Sequence, residues 1–243
     1  MDPELGNRVA LVTGASRGIG RAIALRLAGA GAAVGVNYQS QAAQAEEVVA
    51  AILAGGGKAI AVAADVSGSR SVIAMVRTVE ESLGPIDVLV NNAGIAVVRD
   101  LDDISEMDWD QTLAVNLKSA FLCTRAVLTH MRAQHWGRIV NITSGAARGG
   151  GIIGVHYNAA KAGLEGLTRG YAARLAKDGV TVNAVAPTLI ATDMIARRED
   201  AIRRIPVGRL GLPGEVAQAV LMVIGNAYMT GQTIAVNGGT GFI

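Results

Sequence analysis

The sequence predicts an α/β fold in which one doubly wound parallel sheet carries helices on both faces, within a single domain over residues 6–243. Short apolar runs alternate with segments whose apolar residues recur every three or four positions, which indicates alternating strands and helices. The short runs are apolar without interruption, as in strands covered on both faces. The 243 residues are 51% hydrophobic, enough for one sizeable core. Residues 1–5 are expected to be a disordered tail or a cloning remnant.

The first half of the chain alternates strand and helix regularly. Ile19, Ile23 and Leu27 are four residues apart and therefore share one face of a helix. Gly84 and Pro85 end a later helix, since neither favours a helix interior. The predicted elements are strand 8–13, helix 18–30, strand 32–37, helix 42–54, strand 58–64, a helix through Val72, Val76, Val79 and Leu83, and strand 86–90. This order implies parallel strands.

The second half begins with one long predicted helix. It starts near Ser105, whose hydroxyl can cap it together with Asp108 three residues on, and it runs toward Met131. Its periodic apolar residues are Leu113, Leu117, Leu122 and Leu128. The remaining predicted elements are strand 138–143, a helix from Tyr157 through Leu175, strand 180–186, helix 213–227 and strand 233–236. The sheet is therefore expected to have seven strands.

Composition argues against several classes of function. The net charge of +2 suggests neither nucleic acid nor an acidic membrane as a partner. Cys123 is the single cysteine, so no disulfide forms within the chain, which fits a reducing cytoplasm. The chain shows no basic-then-apolar leader, no apolar run of about 20 residues and no metal-ligand spacing. A cytoplasmic protein that uses no metal is expected.

A glycine-rich stretch, residues 13–20, lies between the first strand and the first helix. Glycines there let the backbone approach a pyrophosphate, and a helix N-terminus favours negative charge. A plain turn would also explain the glycines, but their place after the first strand of an alternating fold favours a dinucleotide site of the Rossmann type. The residues expected to contact the cofactor are Gly14, Ser16, Arg17, Gly18, Ile19 and Gly20.

The end of the second strand distinguishes NAD from NADP. An acidic residue there would bind the adenosine ribose hydroxyls and select NAD. The sequence instead has Asn37, followed by Tyr38 and Ser40, and the next acid is Glu46. Arg17 offers a cation for a 2′-phosphate, with a solvated loop charge as the alternative. The sequence therefore predicts NADP(H), with Arg17, Asn37 and Ser40 near that phosphate.

Two further stretches follow strands at the edge of the sheet where ligands bind in such folds. Asp65 and Val66 end the third strand and are expected to hold the adenine edge. Asn92, Ala93 and Gly94 follow the fourth strand and are expected to line the adenosine ribose. Ordinary turn chemistry of Asx and glycine residues is the alternative for both stretches.

Tyr157 and Lys161 lie four residues apart on a predicted helix, so the amine can reach toward the phenol. A free phenol has a pKa of about 10, and lowering it to about 7 takes about 4 kcal/mol. A cation about 5 Å away in an effective dielectric of about 20 supplies about 3 kcal/mol of this. Ser144 ends the preceding strand and can donate to a substrate oxygen beside Tyr157. Alone, the pair is more simply explained by a packed ring beside a snorkelling amine.

Together these residues resemble the short-chain dehydrogenase/reductase family. The resemblance spans about residues 7–239, in family order and spacing. It rests on TGASRGIG from Thr13, DV at Asp65, NNAG from Asn91, Asn116, Ser144, YNAAK from Tyr157 and a turn at Pro187. The stretches VNY at 36–38, IPVGRLG at 205–211 and TGQT at 230–233 are similar to the 3-oxoacyl-(acyl-carrier-protein) reductases of fatty acid biosynthesis.

The resemblance implies NADPH-dependent reduction of a carbonyl to a secondary alcohol. It makes Tyr157 the general acid, and Lys161 the residue that lowers the pKa of Tyr157 and binds the nicotinamide ribose. Ser144 would polarise the carbonyl. Asn116 would hold a water in a proton relay; the alternative is a satisfied asparagine in the core. On the same ground the cofactor residues extend to Tyr157, Lys161, Pro187, Thr188, Ile190 and Thr192.

The resemblance also implies the partners. The expected substrate is a small or carrier-bound carbonyl compound, first of all a 3-oxoacyl thioester, and family analogy predicts a homotetramer. One alternative is a reductase of another small ketone, sugar or steroid alcohol. A dehalogenase of the same fold would lack Lys161 and the open glycine loop. A non-catalytic NADP-binding sensor is the last alternative, against which Ser144, Tyr157 and Lys161 argue.

The chain departs from the family pattern near the expected site. Thr188 stands where the family usually has glycine, which predicts a stiffer turn facing the nicotinamide. Asn237 replaces the usual aspartate. His156, next to Tyr157, is expected to be a surface or wall residue, with contact to the substrate as the alternative. Segment 192–204, the expected substrate lid, looks short for a reductase of carrier-bound substrates. Its basic residues, expected either to attract an acidic carrier or to form a lid of mixed charge, are Arg197, Arg198, Arg203 and Arg204.

Overall fold

Seven strands form one parallel sheet in a computed structural model that describes residues 5–192, 202–203 and 205–242. The strands are β1 (Val9–Val12), β2 (Ala33–Tyr38), β3 (Ala59–Ala63), β4 (Val88–Asn91), β5 (Gly137–Ile142), β6 (Val180–Pro187) and β7 (Thr233–Val236). Their order is β3-β2-β1-β4-β5-β6-β7, and all six pairings are parallel. The predicted doubly wound sheet is confirmed.

Helices cover both faces of the sheet. They are α1 (Gly18–Gly29), α2 (Ala42–Ala54), α3 (Ser69–Leu83), α4 (Glu106–Leu113), α5 (Ser119–Ala133), α6 (Val155–Leu175) and α7 (Pro213–Gly225). Leu27 of α1 and Val220 of α7 belong to the core on one face, and Val79 of α3 and Val127 of α5 to the core on the other. Each such buried side chain stabilises the fold by about 1.5–3 kcal/mol, which explains why the strands are apolar on both sides.

The prediction of one long regular helix from Ser105 is wrong in one respect. Ser105 does cap α4 in a capping box with Asp108. A π-helical turn, Ala114–Lys118, then separates α4 from α5. A π turn accommodates one extra residue, which agrees with the five-residue step from Leu117 to Leu122 in the apolar pattern. The extra residue moves Asn116 to a position that a regular helix would not give it.

The strand order reverses between β1 and β4, so the loops after these strands diverge and leave a crevice at their carboxyl ends. Most of the predicted substrate lid lies outside the described residues, and so do Arg197, Arg198 and Arg204. Arg203 is described and exposed. No helix in the described part of the chain is long and apolar enough to span a membrane.

Candidate active site

The glycine loop after β1 touches the loop after β4 at the carboxyl edge of the sheet. Gly14 and Gly18 have φ values of 61° and 55°, which glycine adopts without strain. A Cβ on Gly14 would lie 2.9 Å from the Ala93 Cα, and a Cβ on Gly20 would lie 2.5 Å from the Asn92 Nδ2. No side chain fits at either position. The close backbones form a cradle at the N-terminus of α1, which suits a pyrophosphate.

Thr13 joins these two loops. Its Oγ1 accepts hydrogen bonds from the backbone N–H groups of Asn92 and Ala93, both at 3.0 Å. The Asn92 side-chain amide donates in return to the carbonyls of Thr13 and Gly14, both at 2.9 Å. Asn92 therefore shapes the cradle with its amide N–H groups. The importance of Thr13 was missed in the sequence, because its partners lie 79 and 80 residues away.

Asn37 is not where the cofactor prediction puts it. It is only 2% exposed, and its Oδ1 accepts from the Gly14 N–H at 3.1 Å. Its Nδ2 donates to the carbonyls of Val62 and Ala64 at 3.3 and 3.2 Å. Its side chain thus ties the glycine loop to β3, and both ends of its amide are engaged inside the protein. The other two residues predicted near the 2′-phosphate, Ser40 and Arg17, are exposed, and Arg17 is the N-cap residue of α1.

The other predicted cofactor residues lie around the same crevice. Asp65 is exposed, but its Oδ1 already accepts from the N–H and the hydroxyl of Ser67 at 2.9 and 2.7 Å, the turn chemistry weighed as the alternative. A Cβ on Gly18 would lie 3.4 Å from the Thr192 Cγ2, so the loops after β1 and β6 meet. Tyr38 is half-buried, whereas the side chains of Ser16, Val66 and Ile190 are buried.

Ser144, Tyr157 and Lys161 come together where β5 ends and α6 begins. Tyr157 and Lys161 are 8% and 4% exposed. The Lys161 Nζ donates to the Ile142 carbonyl at 2.9 Å and lies 5.7 Å from the centroid of the Tyr157 ring. The Ser144 Oγ accepts from the Ala146 N–H at 3.2 Å, and the Ser144 hydroxyl is near enough to Tyr157 to lower the pKa of the phenol. A buried phenol and a buried amine therefore lie beside a half-buried hydroxyl.

Burial sets the protonation of these groups. Loss of hydration raises the pKa of Tyr157, and the Ser144 hydroxyl opposes that rise. Burial lowers the pKa of Lys161 to about 8. The phenol is therefore protonated at neutral pH, as a proton donor must be. That Lys161 lowers the pKa of Tyr157 stays a prediction.

Both polar atoms of the Asn116 side-chain amide form hydrogen bonds within the protein. Its Oδ1 accepts from the Ile95 N–H at 2.8 Å, and its Nδ2 donates to the Ile95 carbonyl at 2.9 Å. A Cβ on Gly94 would lie 2.8 Å from the Asn116 Oδ1 and 3.5 Å from the Lys161 Nζ. The side chain therefore matches the alternative of a satisfied core asparagine, and it brings the loop after β4 next to the lysine. A water held at Asn116 stays a prediction.

The turn after Ser144 is fitted against Thr188. A Cβ on Gly145 would overlap the Thr188 Oγ1 and would lie 3.4 Å from the Thr188 Cβ. The Thr188 backbone is itself held at the end of β6, since its N–H donates to the Val236 carbonyl at 3.0 Å. Asn158 holds the turn from the other side and donates to the carbonyls of Ala146, Gly149 and Gly150 at 2.9, 2.7 and 2.7 Å. Sequence reasoning did not single out Gly145 or Asn158.

Gly145→Ala is expected to lower kcat at least tenfold, because the new methyl group overlaps Thr188 and displaces Ser144. Gly150→Ala, five residues on, is the matched control, since a Cβ there meets nothing within 4 Å. Its kcat is expected to stay within about twofold of wild type. Steady-state kinetics and thermal melts of both variants make the comparison. Equal kcat values would show that the fit at Gly145 does not matter.

A family model of the short chain dehydrogenases matches residues 8–203. The chain belongs to the short-chain dehydrogenase family.

Of the described residues, no group of three or more histidine, cysteine, aspartate or glutamate side chains is placed to hold a metal ion.

Curated relatives and solved structures agree with this assignment. This short-chain dehydrogenase is 48% identical over 237 residues to a 3-oxoacyl-(acyl-carrier-protein) reductase of Synechocystis sp., covering 96% of each chain. It is 43% identical over 242 residues to a reductase of the same name from Pseudomonas aeruginosa, covering 97% of this chain and 98% of the other. A dehydrogenase/reductase from Sinorhizobium meliloti superposes with a TM-score of 0.92 at 36% identity, covering 99% of this chain and 98% of the other. The family resemblance in the sequence is thereby confirmed.

Proposed function

We propose that this protein reduces a 3-oxoacyl thioester to the 3-hydroxyacyl thioester with NADPH. The observation that carries the proposal is that Ser144, Tyr157 and Lys161 lie together and that Lys161 adjoins Gly94, in the same loop as Ala93, which adjoins Gly14 of the glycine cradle. The relatives named as 3-oxoacyl-(acyl-carrier-protein) reductases support the choice of substrate. The same group argues against a non-catalytic sensor, which needs no protonated phenol beside a buried amine.

The residues present fit a nicotinamide dinucleotide. The cradle formed by Gly14, Gly18 and Gly20 excludes side chains at the N-terminus of α1, where a pyrophosphate is favoured. Ala93 and Gly94 would line the adenosine ribose side, and the turn from Pro187 to Thr192 would face the nicotinamide. Lys161 would hold the nicotinamide ribose. When bound, the reduced nicotinamide supplies the hydride.

The chain's own groups handle the carbonyl oxygen. The Ser144 hydroxyl would donate a hydrogen bond to that oxygen and polarise the carbonyl. Tyr157, protonated because burial raises its pKa, would then transfer its proton to the developing alkoxide. Lys161 has a pKa of about 8, so it is mainly an ammonium at neutral pH and would stabilise the phenolate that remains.

The preference for NADP(H) over NAD(H) would come from Arg17 and Ser40. Both are exposed beside the adenosine end of the cradle, and Arg17 carries the charge that a 2′-phosphate needs. The end of β2, residues 37–40, also carries no carboxylate that would bind the ribose hydroxyls and repel the phosphate. We also propose a cytoplasmic homotetramer that accepts carrier-bound substrate, on the analogy with the family.

The test is a panel of carbonyl substrates followed by the absorbance of NADPH, each run also with NADH. Acetoacetyl thioester is expected to give the highest kcat/KM, and NADPH at least tenfold higher kcat/KM than NADH. A higher kcat/KM with a small ketone, sugar or steroid would transfer the assignment to the alternative reductase. A preference for NADH would contradict the roles given to Arg17 and Ser40. Failure to oxidise NADPH with any carbonyl would contradict the reductase proposal.

A further inference from the structure

Residues 93–99, here called the wall strip, follow β4 and are tied down at every second residue. The Ala93 N–H donates to the Thr13 Oγ1 at 3.0 Å, and both backbone groups of Ile95 are bound by Asn116. The Val97 carbonyl lies 3.1 Å from the His156 Nε2, and the Arg99 N–H donates to the Ile153 carbonyl at 2.9 Å. Contacts at every second residue are typical of an extended chain, in which alternate residues lie on the same side. One edge of the wall strip is therefore bound to the rest of the protein along its whole length.

The last two ties join the wall strip to the start of the helix that carries Tyr157. His156 precedes Tyr157 in α6 and is fully buried, which excludes the surface position and leaves the wall position that the sequence analysis also expected. Because a carbonyl oxygen only accepts, the His156 Nε2 must carry a proton and donate to Val97. The Nδ1 is buried and has no hydrogen-bond partner among the described residues. An unpaired buried nitrogen costs free energy, so the Nε2 bond is the evident reason for a histidine here.

Gly154 makes room for this ring. Its φ of 143° is one that side-chain-bearing residues rarely adopt. A Cβ at Gly154 would lie 2.5 Å from the His156 Cε1 and 3.4 Å from the Arg99 carbonyl oxygen. The ring therefore fills the gap between the backbone before α6 and the wall strip. Gly154 and His156, which both tolerate few substitutions, are thus needed for the same hydrogen bond to the wall strip.

We propose that His156 is a positioning residue that sets the distance between the wall strip and Tyr157, and so fixes one wall of the carbonyl pocket. The effect of His156 on substrate binding rests on the proposed reductase function, whereas its bond to the wall strip does not. Ala93 and Ile95 keep their own ties through Thr13 and Asn116, so the cofactor end of the strip does not depend on His156. Loss of the tie releases the Val97 carbonyl and weakens the neighbouring bond from the Arg99 N–H to the Ile153 carbonyl, and so changes substrate fit.

The test compares His156→Gln with His156→Asn. A glutamine amide reaches the place of the His156 Nε2 and can still donate to Val97, whereas an asparagine amide is one carbon too short. For His156→Asn we expect the KM of the carbonyl substrate to rise about tenfold, kcat to stay within about threefold and the NADPH dissociation constant within about twofold. His156→Gln is expected to restore KM to within about threefold of wild type.

Hydrogen exchange of the Arg99 backbone amide, whose bond to the Ile153 carbonyl lies next to the tie, provides a measurement that needs no substrate. Exchange is expected to accelerate at least tenfold in His156→Asn and less than threefold in His156→Gln. Equal exchange in the two variants would overturn the proposed tie, whatever the substrate proves to be. Altered exchange with an unchanged KM for the best substrate of the panel would overturn its effect on the pocket. If no carbonyl is reduced, the reductase proposal fails and the exchange data still decide the tie.

Discussion

Tyr157→Phe is expected to lower kcat by about 10³-fold or more while leaving the NADPH dissociation constant within about threefold of wild type. The substitution removes the proton donor, and a positioned general acid contributes about 10²–10⁴-fold to a rate. The ring itself stays, so the packing of a residue that is 8% exposed is preserved. Steady-state kinetics with the best carbonyl substrate and fluorescence titration with NADPH measure the two quantities.

Tyr171→Phe is the matched control for this experiment. Tyr171 lies on the same helix and is half-buried. It packs against the core on the face of the sheet that α3 and α5 cover. Its kcat is expected to stay within about twofold of wild type. A kcat near the wild-type value for Tyr157→Phe would remove Tyr157 from the chemistry. A loss of NADPH binding in parallel with kcat would instead indicate damage to the cofactor site.

Elements whose signal is local were predictable from the sequence. The strands end within about two residues of their predicted bounds, because an uninterrupted apolar run marks a strand covered on both faces. The capping box of Ser105 and Asp108 is equally local and was found. The π turn was not, although the five-residue step from Leu117 to Leu122 signalled it, because one irregular step is easily absorbed into a helical pattern.

Contacts between distant parts of the chain were out of reach. Asn37 stands at the end of β2, the position that the sequence analysis expected to select the cofactor. Its buried bonds to Gly14 and to Val62 depend on how the loop after β1 folds back over β2 and β3. The tie from His156 to Val97 spans 59 residues in the same way. The types of these residues thus indicated where the candidate site lies. The direction in which each side chain points depends on contacts with distant residues and is given only by the tertiary structure.

Lys161→Met is expected to lower kcat/KM at least 10²-fold and also to change how stability depends on pH. Burial lowers the pKa of Lys161 from its ordinary value of 10.5 to about 8. Between these two values the unfolded chain holds a proton that the folded protein has released, so the stability of the wild type rises with pH across this window. Methionine has no such dependence. The free energy of unfolding of the variant minus that of the wild type is therefore expected to fall by about 2 kcal/mol between pH 7 and pH 10.

Urea unfolding at both pH values measures this difference, with Lys177→Met as the control, since Lys177 is exposed and lies just beyond the same helix. The control is expected to show wild-type activity and no pH-dependent difference. A difference that stays constant for Lys161→Met would mean that the ammonium is not desolvated. Retained activity would mean that its charge is not used. A buried ammonium that weakens the folded state at neutral pH is kept only if the site needs its charge, and the two measurements together test that need.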